Sequence, residues 1–296
     1  MVFSSTLFIF LFLPITLGLY FLASLTQKVH IMNVVLLIAS IIFYGWGGLK
    51  PLIVLLVTIS INYILTILMD RYGRTKKLLF ILLLMIDIGN LFYFKYFNFF
   101  VENTKDIVEL VGVDIFQGVA YVALPIGISF YTFQIISYVV DVYMGKVEVQ
   151  QSLIKLMLYV TMFPQLIAGP IVRYSDINEE INSRNITVKD VDEGIKRFIV
   201  GFFKKVLLAN SMGGMADTVF GMVGSINTVY AWLGAICYTL QIYYDFSAYS
   251  DMAIGIGRML GFHFNENFDS PYISKSIKEF WRRWHISLSS WFRDYV

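Results

Sequence analysis

The sequence predicts an all-α, polytopic transmembrane helix bundle, and three observations carry that prediction. Hydrophobic residues make up 57% of the 296 and charged residues 15%, where a soluble domain carries about 25% charged. The mean hydropathy is +0.68. Several apolar runs reach the ~20 residues that cross a ~30 Å hydrocarbon core, and none alternates with the short period of a barrel strand.

The first run, 3–25, sits in MVFSSTLFIFLFLPITLGLY. It lacks the basic n-region and small-residue cleavage site of a signal peptide and is too long for an h-region, so it reads as a span. Further spans are predicted over 31–47, 51–69, 77–98, 119–140, 153–172 and 228–250. The stretch 197–222 is apolar but interrupted by Gly213 and Gly214, which makes it a marginal span. Arg71, Arg74, Lys76 and Lys77 follow the third run, and the positive-inside rule puts them in the cytoplasm. Three crossings before them set the N-terminus outside. The acidic loop 102–118, with Glu102, Asp106, Glu109 and Asp114, then also lies outside.

Run 153–172 strains that orientation. It should leave the cytoplasm, yet Arg173, Arg184, Lys189, Lys196, Arg197, Lys204 and Lys205 follow it. The run contains Pro164, Gly169 and Pro170, and each proline removes a helix donor and crowds the preceding turn. A segment that dips in and returns resolves the conflict. Broken backbone at membrane depth needs protein or a water-filled cavity around it, so a cavity is expected here. Residues 187–205 are amphipathic, with Val191, Ile195, Phe198, Ile199 and Phe202 near one face. Thr187 and Asp190 form a plausible cap, and such a helix suits the membrane surface. The whole chain, 1–296, reads as one membrane domain with 173–205 as its cytoplasmic-side amphipathic segment.

A net charge of +2 gives no nucleic-acid signature. One cysteine, Cys237, rules out an internal disulfide and a cysteine-based metal site. His30, His263 and His285 lie too far apart for a metal motif such as H-E-x-x-H, and no Walker loop, dinucleotide fingerprint or G-x-S-x-G occurs. No metal is expected.

Asp245 and Asp251 fall in an apolar setting, where an ionised Asp costs about 2.5–3.5 kcal/mol at a helix centre. Asp245 shares a helical face with Tyr249, Ser247 shares one with Asp251, and Arg258 follows Asp251 by two turns. Two readings stay open: a hydrogen-bond network that fixes packing, or a substrate or proton pathway. The closing stretch is EFWRRWHISLSSWFRDYV. On a continuous helix, Trp281, Trp284, His285 and Leu288 share one face. Glu279 can pair with Arg283 and Arg282 points away from that pair, so at least one of the two guanidiniums, Arg282 or Arg283, stays available for an anion. Histidine can take a proton from an attacking hydroxyl, and an apolar wall keeps it neutral beforehand. The alternative is an interfacial Trp/Arg belt.

The strings FPQLIAGPIVRY (163–174), YYDFSAYSDMAIGIGRMLGF (243–262), NFDSPY (267–272) and SIKEFWRRWHISLSSWFRDY (276–295) resemble the membrane-bound O-acyltransferase family. FSSTLFIFLFLPI and ALPIGISFYTFQIISYVVDVY (123–143) match as well. Within the family the chain is most similar to the alginate O-acetyltransferase membrane branch, itself similar to the D-alanyl transferase of teichoic acid. The resemblance implies a ring of tilted helices around a tunnel, incomplete in this chain, with a cytoplasmic acyl donor on one side and the acceptor on the other. It implies that His285 of the WRRWH motif lies at the tunnel as a catalytic group. The family's main catalytic histidine belongs to an L-W-H-G motif absent from these residues, so the chain is expected to be an N-terminal portion, inactive alone.

With the polar and broken-helix residues above, the candidate substrate-binding set is Trp281, Arg282, Arg283, Trp284, Asp245, Tyr249, Asp251, Gln165, Gly169, Pro170 and Arg173. The resemblance further implies no bound cofactor and an acyl donor that is acetyl-coenzyme A or an acyl-carrier thioester. It implies membrane lipid, a polysaccharide acceptor such as alginate, and periplasmic or extracellular acetyl-transfer proteins as partners, in a bacterial cell membrane. Rival readings are a transporter or channel for a polysaccharide or acyl group, and a scaffold that recruits a periplasmic acetylase.

Overall fold

A computed structural model describes residues 1–109, 120–167, 169–222, 224 and 226–296. The described residues are helical and contain no strand. The first apolar run opens with a wide π turn, Phe8–Phe12, and continues as α1, Leu13–Ser24. Then come α2, Val29–Gly45, and α3, Leu49–Arg71. A single 3-10 turn, Gly73–Thr75, reverses the chain into α4, Lys76–Glu109. α3 and the helix over Gly73–Lys105 are long and apolar enough to cross a bilayer. Phe10, Ile15, Leu19, Ile38, Ile53, Leu78, Met85 and Phe92 are all exposed on the opening π turn and these four helices. So much exposed apolar surface is what a lipid-facing exterior requires. Inside it, Asn62 of α3 donates to Asp87 of α4 at 2.7 Å, and Asn90 donates to Thr58 at 3.3 Å.

Three expectations are corrected here. The fourth run extends beyond 98, and residues 102–109 of the expected acidic loop continue α4, because no glycine or proline stops the helix before Glu109. Residues 110–118 of that loop, with Asp114, and the first residue of the run 119–140 lie outside the described residues. The helix of that run, α5, covers Ile128–Tyr143, not 119–140. Pro125 and Gly127, the latter left-handed at φ 75°, keep residues 120–127 out of it. A side chain at 127 would also meet the Leu166 carbonyl oxygen at 2.7 Å.

The broken run divides as its prolines foretold. α6 covers Leu153–Thr161, Met162 is non-helical, and one turn, α7, covers Phe163–Leu166. Gly169 passes so close to Gln165 that a Cβ would lie 2.5 Å from its Cα. α8, Tyr174–Asn182, and α9, Val188–Phe203, follow. Thr187 caps α9: its hydroxyl accepts from the Asp190 N–H at 3.1 Å while the Asp190 carboxylate reaches back to the Thr187 N–H. α9 runs through a π turn, Lys204–Ala209, into α10, Asn210–Phe220. The expected break at Gly213 and Gly214 is therefore absent. Gly213 instead makes room for Gln241, whose Nε2 lies 2.8 Å from where a Cβ would sit.

α11, Thr228–Met259, is longer than the predicted 228–250 and packs along α9. The two backbones touch at Gly194 and Gly255, where each missing Cβ would meet the other residue's carbonyl oxygen at 2.6 or 2.7 Å. Small residues of this kind let apolar helices approach closely. At the centre of the bundle Phe3 stacks on Tyr249 at 4.4 Å and lies among Phe8, Phe43 and Phe163. A loop from Leu260 leads to two short helices, α12, Ile277–Arg283, and α13, Ile286–Tyr295.

Candidate functional site

The predicted helical face of Trp281, Trp284, His285 and Leu288 does not form. α12 stops at Arg283, Trp284 is extended, and His285 is left-handed at φ 44°, ψ 55°. A non-glycine residue pays strain of about 1–3 kcal/mol there. Two backbone bonds impose it. The Asp269 N–H donates to the Arg283 carbonyl and the Ile286 N–H to the Asn267 carbonyl, both at 2.9 Å. The segment 267–269 thus clasps the elbow from both sides, and α13 restarts in a new direction.

The elbow turns the imidazole inward, and His285 is 7% exposed. Phe246 meets the ring edge-on at 4.7 Å, and Phe268 and Phe130 lie near-parallel at 6.4 and 6.3 Å. His285 itself lies outside the predicted spans, between α12 and α13, and burial lowers the imidazole pKa to about 4, so the ring is neutral at pH 7. Nδ1 faces Asn267 Oδ1 at 3.2 Å and Ser287 Oγ at 3.3 Å. Nε2 has no hydrogen-bond partner among the described residues. Ser287 Oγ also accepts the Ile171 N–H at 3.0 Å, which ties the elbow to the broken segment just after Pro170.

Trp284 sits among Tyr243, Phe268, Tyr272 and Phe280, with ring centroids 5.1 to 6.2 Å away. Arg283 bonds Glu279 at 3.1 Å, as the spacing predicted, and also Asp269 at 3.0 Å. Trp281 is 52% exposed. Together with Lys278, Arg282 and Arg293 it lines a groove of about 470 Å³. Arg293 is paired with Asp294, while Arg282 and Lys278 have no ion-pair partner among the described residues. A second groove, about 230 Å³, is lined by Arg173, Asp176, Glu266 and Ser287 and shares Ile286, Ser290 and Arg293 with the first. His285 lines neither, although its neighbours Ile286 and Ser287 do.

The other candidates divide between the broken segment beside the elbow and α11. Gln165 is buried and donates to the Tyr159 carbonyl at 2.7 Å. Gly169 and Pro170 belong to the same broken segment, and Arg173 bonds Asp294 at 2.8 Å beside the Tyr295 ring. Tyr249 is stacked on Phe3, and its hydroxyl makes no hydrogen bond to Asp245 or any other described residue. Asp245 pairs with Lys205 at 2.7 Å. Asp251 pairs with Arg197 at 2.7 Å and Lys204 at 2.6 Å, while Arg258 turns to Asp190 and Glu193 instead. The two aspartates of α11 thus join it to α9 and the π turn after it. Asn267, Ser287 and Phe246 were missed. Asn267 stands in the NFDSPY string, but nothing in its sequence position marks the imidazole as its partner.

A family model for MBOAT, membrane-bound O-acyltransferase family, matches residues 147–296. Over its whole length the chain is 46% identical to a Pseudomonas aeruginosa protein named "Probable alginate O-acetylase", covering 56% of it. It is 33% identical to a Helicobacter pylori peptidoglycan O-acetyltransferase, again over the whole chain and 61% of that protein. A Bacillus subtilis teichoic acid D-alanyltransferase matches 58% of the chain and 44% of its own length at 33% identity. The chain spans 56–60% of the length of the alginate O-acetylases it matches.

Proposed function

This chain belongs to the membrane-bound O-acyltransferase family and is a membrane protein, and from that premise we propose that it serves acetyl transfer to an exported polysaccharide. The alginate and peptidoglycan relatives favour a carbohydrate acceptor, with alginate first. In this reading the donor is a cytoplasmic thioester, either acetyl-coenzyme A or an acyl-carrier thioester. The chain lies in a bacterial cell membrane with its N-terminus outside, and periplasmic acetyl-transfer proteins carry the group onward.

The chemistry is an acyl substitution. An acceptor oxygen forms a bond to the thioester carbonyl carbon, the carbon–sulfur bond breaks, and the acceptor proton leaves through a base to the departing thiolate. The observation that carries the reading is His285: neutral, walled by three phenylalanine rings, and hydrogen-bonded through Nδ1 alone. A nitrogen held this way can position or share the acceptor proton. Arg283 is already committed to Glu279 and Asp269, so Arg282 is the guanidinium that can offset charge near the donor. Fixed donors in a water-poor site contribute much of the rate in such reactions.

The pairing of Asp245 and Asp251 with lysine and arginine supports the packing-network reading of these two residues. The test is His285→Ala in the native gene. Polysaccharide acetylation is expected to fall at least about 100-fold, the usual contribution of a positioned acid–base group, while the protein still inserts. Unchanged acetylation removes His285 from the mechanism.

A further inference from the structure

We propose that Asn267 is a positioning residue that holds the His285 proton on Nδ1 and so leaves Nε2 as the lone-pair nitrogen. The assignment rests on the acyl-transfer reading for its catalytic meaning but not for its geometry. The Asn267 amide has one orientation, because the Ser287 backbone N–H, a donor that cannot become an acceptor, points at its Oδ1 from 3.1 Å. A flipped amide would set two N–H groups against each other.

The same oxygen accepts the Ser287 hydroxyl at 2.8 Å. That hydroxyl has one proton, and its oxygen is left as an acceptor for the Ile171 N–H and for His285. Both atoms that face Nδ1 are therefore acceptors. If Ser287 donated to Nδ1 instead, the lone pairs of Nδ1 and Asn267 Oδ1 would confront each other at 3.2 Å. A neutral imidazole carries one N–H, so placing it on Nδ1 empties Nε2.

Asn267 is itself enclosed and held through its backbone. It is 0% exposed, and its carbonyl takes the Ile286 N–H in the elbow clasp. Its Nδ2 has no partner among the described residues, so it is the amide oxygen that the fold uses.

The test is solid-state nitrogen NMR of the chain in lipid, labelled at histidine, with the His285 signals identified by their loss in His285→Gln. The expected result at neutral pH is a protonated Nδ1 and an unprotonated Nε2. Asn267→Ala is expected to shift the population toward protonated Nε2, and Asn267→Asp, which keeps the accepting oxygen, to retain the native tautomer. A protonated Nε2 in the unsubstituted chain overturns the proposal, as does an unchanged tautomer in folded Asn267→Ala. If Asn267→Ala does not fold, Ser287→Ala leaves Asn267 as the acceptor at Nδ1. Protonated Nδ1 there supports the assignment, and its loss overturns it. Acetylation by the native gene carrying the same substitutions separates the two claims. A tautomer that responds as expected while acetylation does not would sink the role of His285, not the role of Asn267.

Discussion

Gly255→Ala tests the contact on which the α9–α11 pair depends. The new methyl would lie 2.7 Å from both the Gly194 carbonyl oxygen and the Phe198 nitrogen. Both are backbone atoms, so no side chain can swing aside. To reach the 3.4 Å at which ordinary contact begins, the helices must part by about 0.7 Å. Overpacking of this kind costs about 1–3 kcal/mol, and rigid backbone argues for the upper end. Alanine returns about 1 kcal/mol in helix propensity, which leaves a net loss of about 2 kcal/mol. The same separation stretches the Arg197–Asp251 pair, now 2.7 Å, toward the limit of hydrogen bonding. At about 2–4 °C per kcal/mol, thermal unfolding in detergent should fall by about 4 °C or more. Gly214→Ala is the control, since nothing lies within 4 Å of a Cβ there. Gly213→Ala should fall between them, because the atoms in its way belong to the flexible Gln241 side chain. The reasoning fails if Gly255→Ala melts with the unsubstituted protein, or if Gly214→Ala drops as far.

Two further outcomes are expected. Asp251→Asn removes the carboxylate that faces Arg197 and Lys204; it should cost about 1–3 kcal/mol, seen as an earlier melt, and an unchanged melt would mean the pairs contribute nothing. With the His285 pKa lowered by burial to about 4, its base form is lost only as pH falls through about 4, so the acetylation rate should show no acid limb from this ring between about pH 5 and 8; a limb near 6.5 that disappears in His285→Gln would show a solvated imidazole.

The outer helices were legible because their apolar runs are long and end at charge, turn residues or both: Arg71 with Gly73, and Trp46 with Gly47 and Gly48. The broken segment was legible from Pro164 and Pro170, and the α9 cap from Thr187 and Asp190. Gly213 and Gly214 misled, because a glycine can remove a side chain for a neighbour's sake without ending a helix. The His285 elbow could not be read at all. WRRWHIS contains no glycine or proline, and local propensity favours a continuous helix. The left-handed turn comes from Asn267 and Asp269, which bond to its backbone from an earlier stretch of chain. For the same reason Asn267 was invisible as a partner. Asp87 was overlooked inside a leucine-rich run, although an acid buried on α4 must find a donor, and Asn62 is that donor.

The clasp at 267–269 and 283–286 also pins both mouths of the intervening loop. Closing a longer loop between fixed ends adds little entropy, about 0.6 kcal/mol per doubling of its length. Homologous chains can therefore gain or shed residues near Ser274 and Lys275, ahead of α12, without rotating the His285 imidazole. An alignment gap there leaves both the elbow and Arg282 of α12 in place.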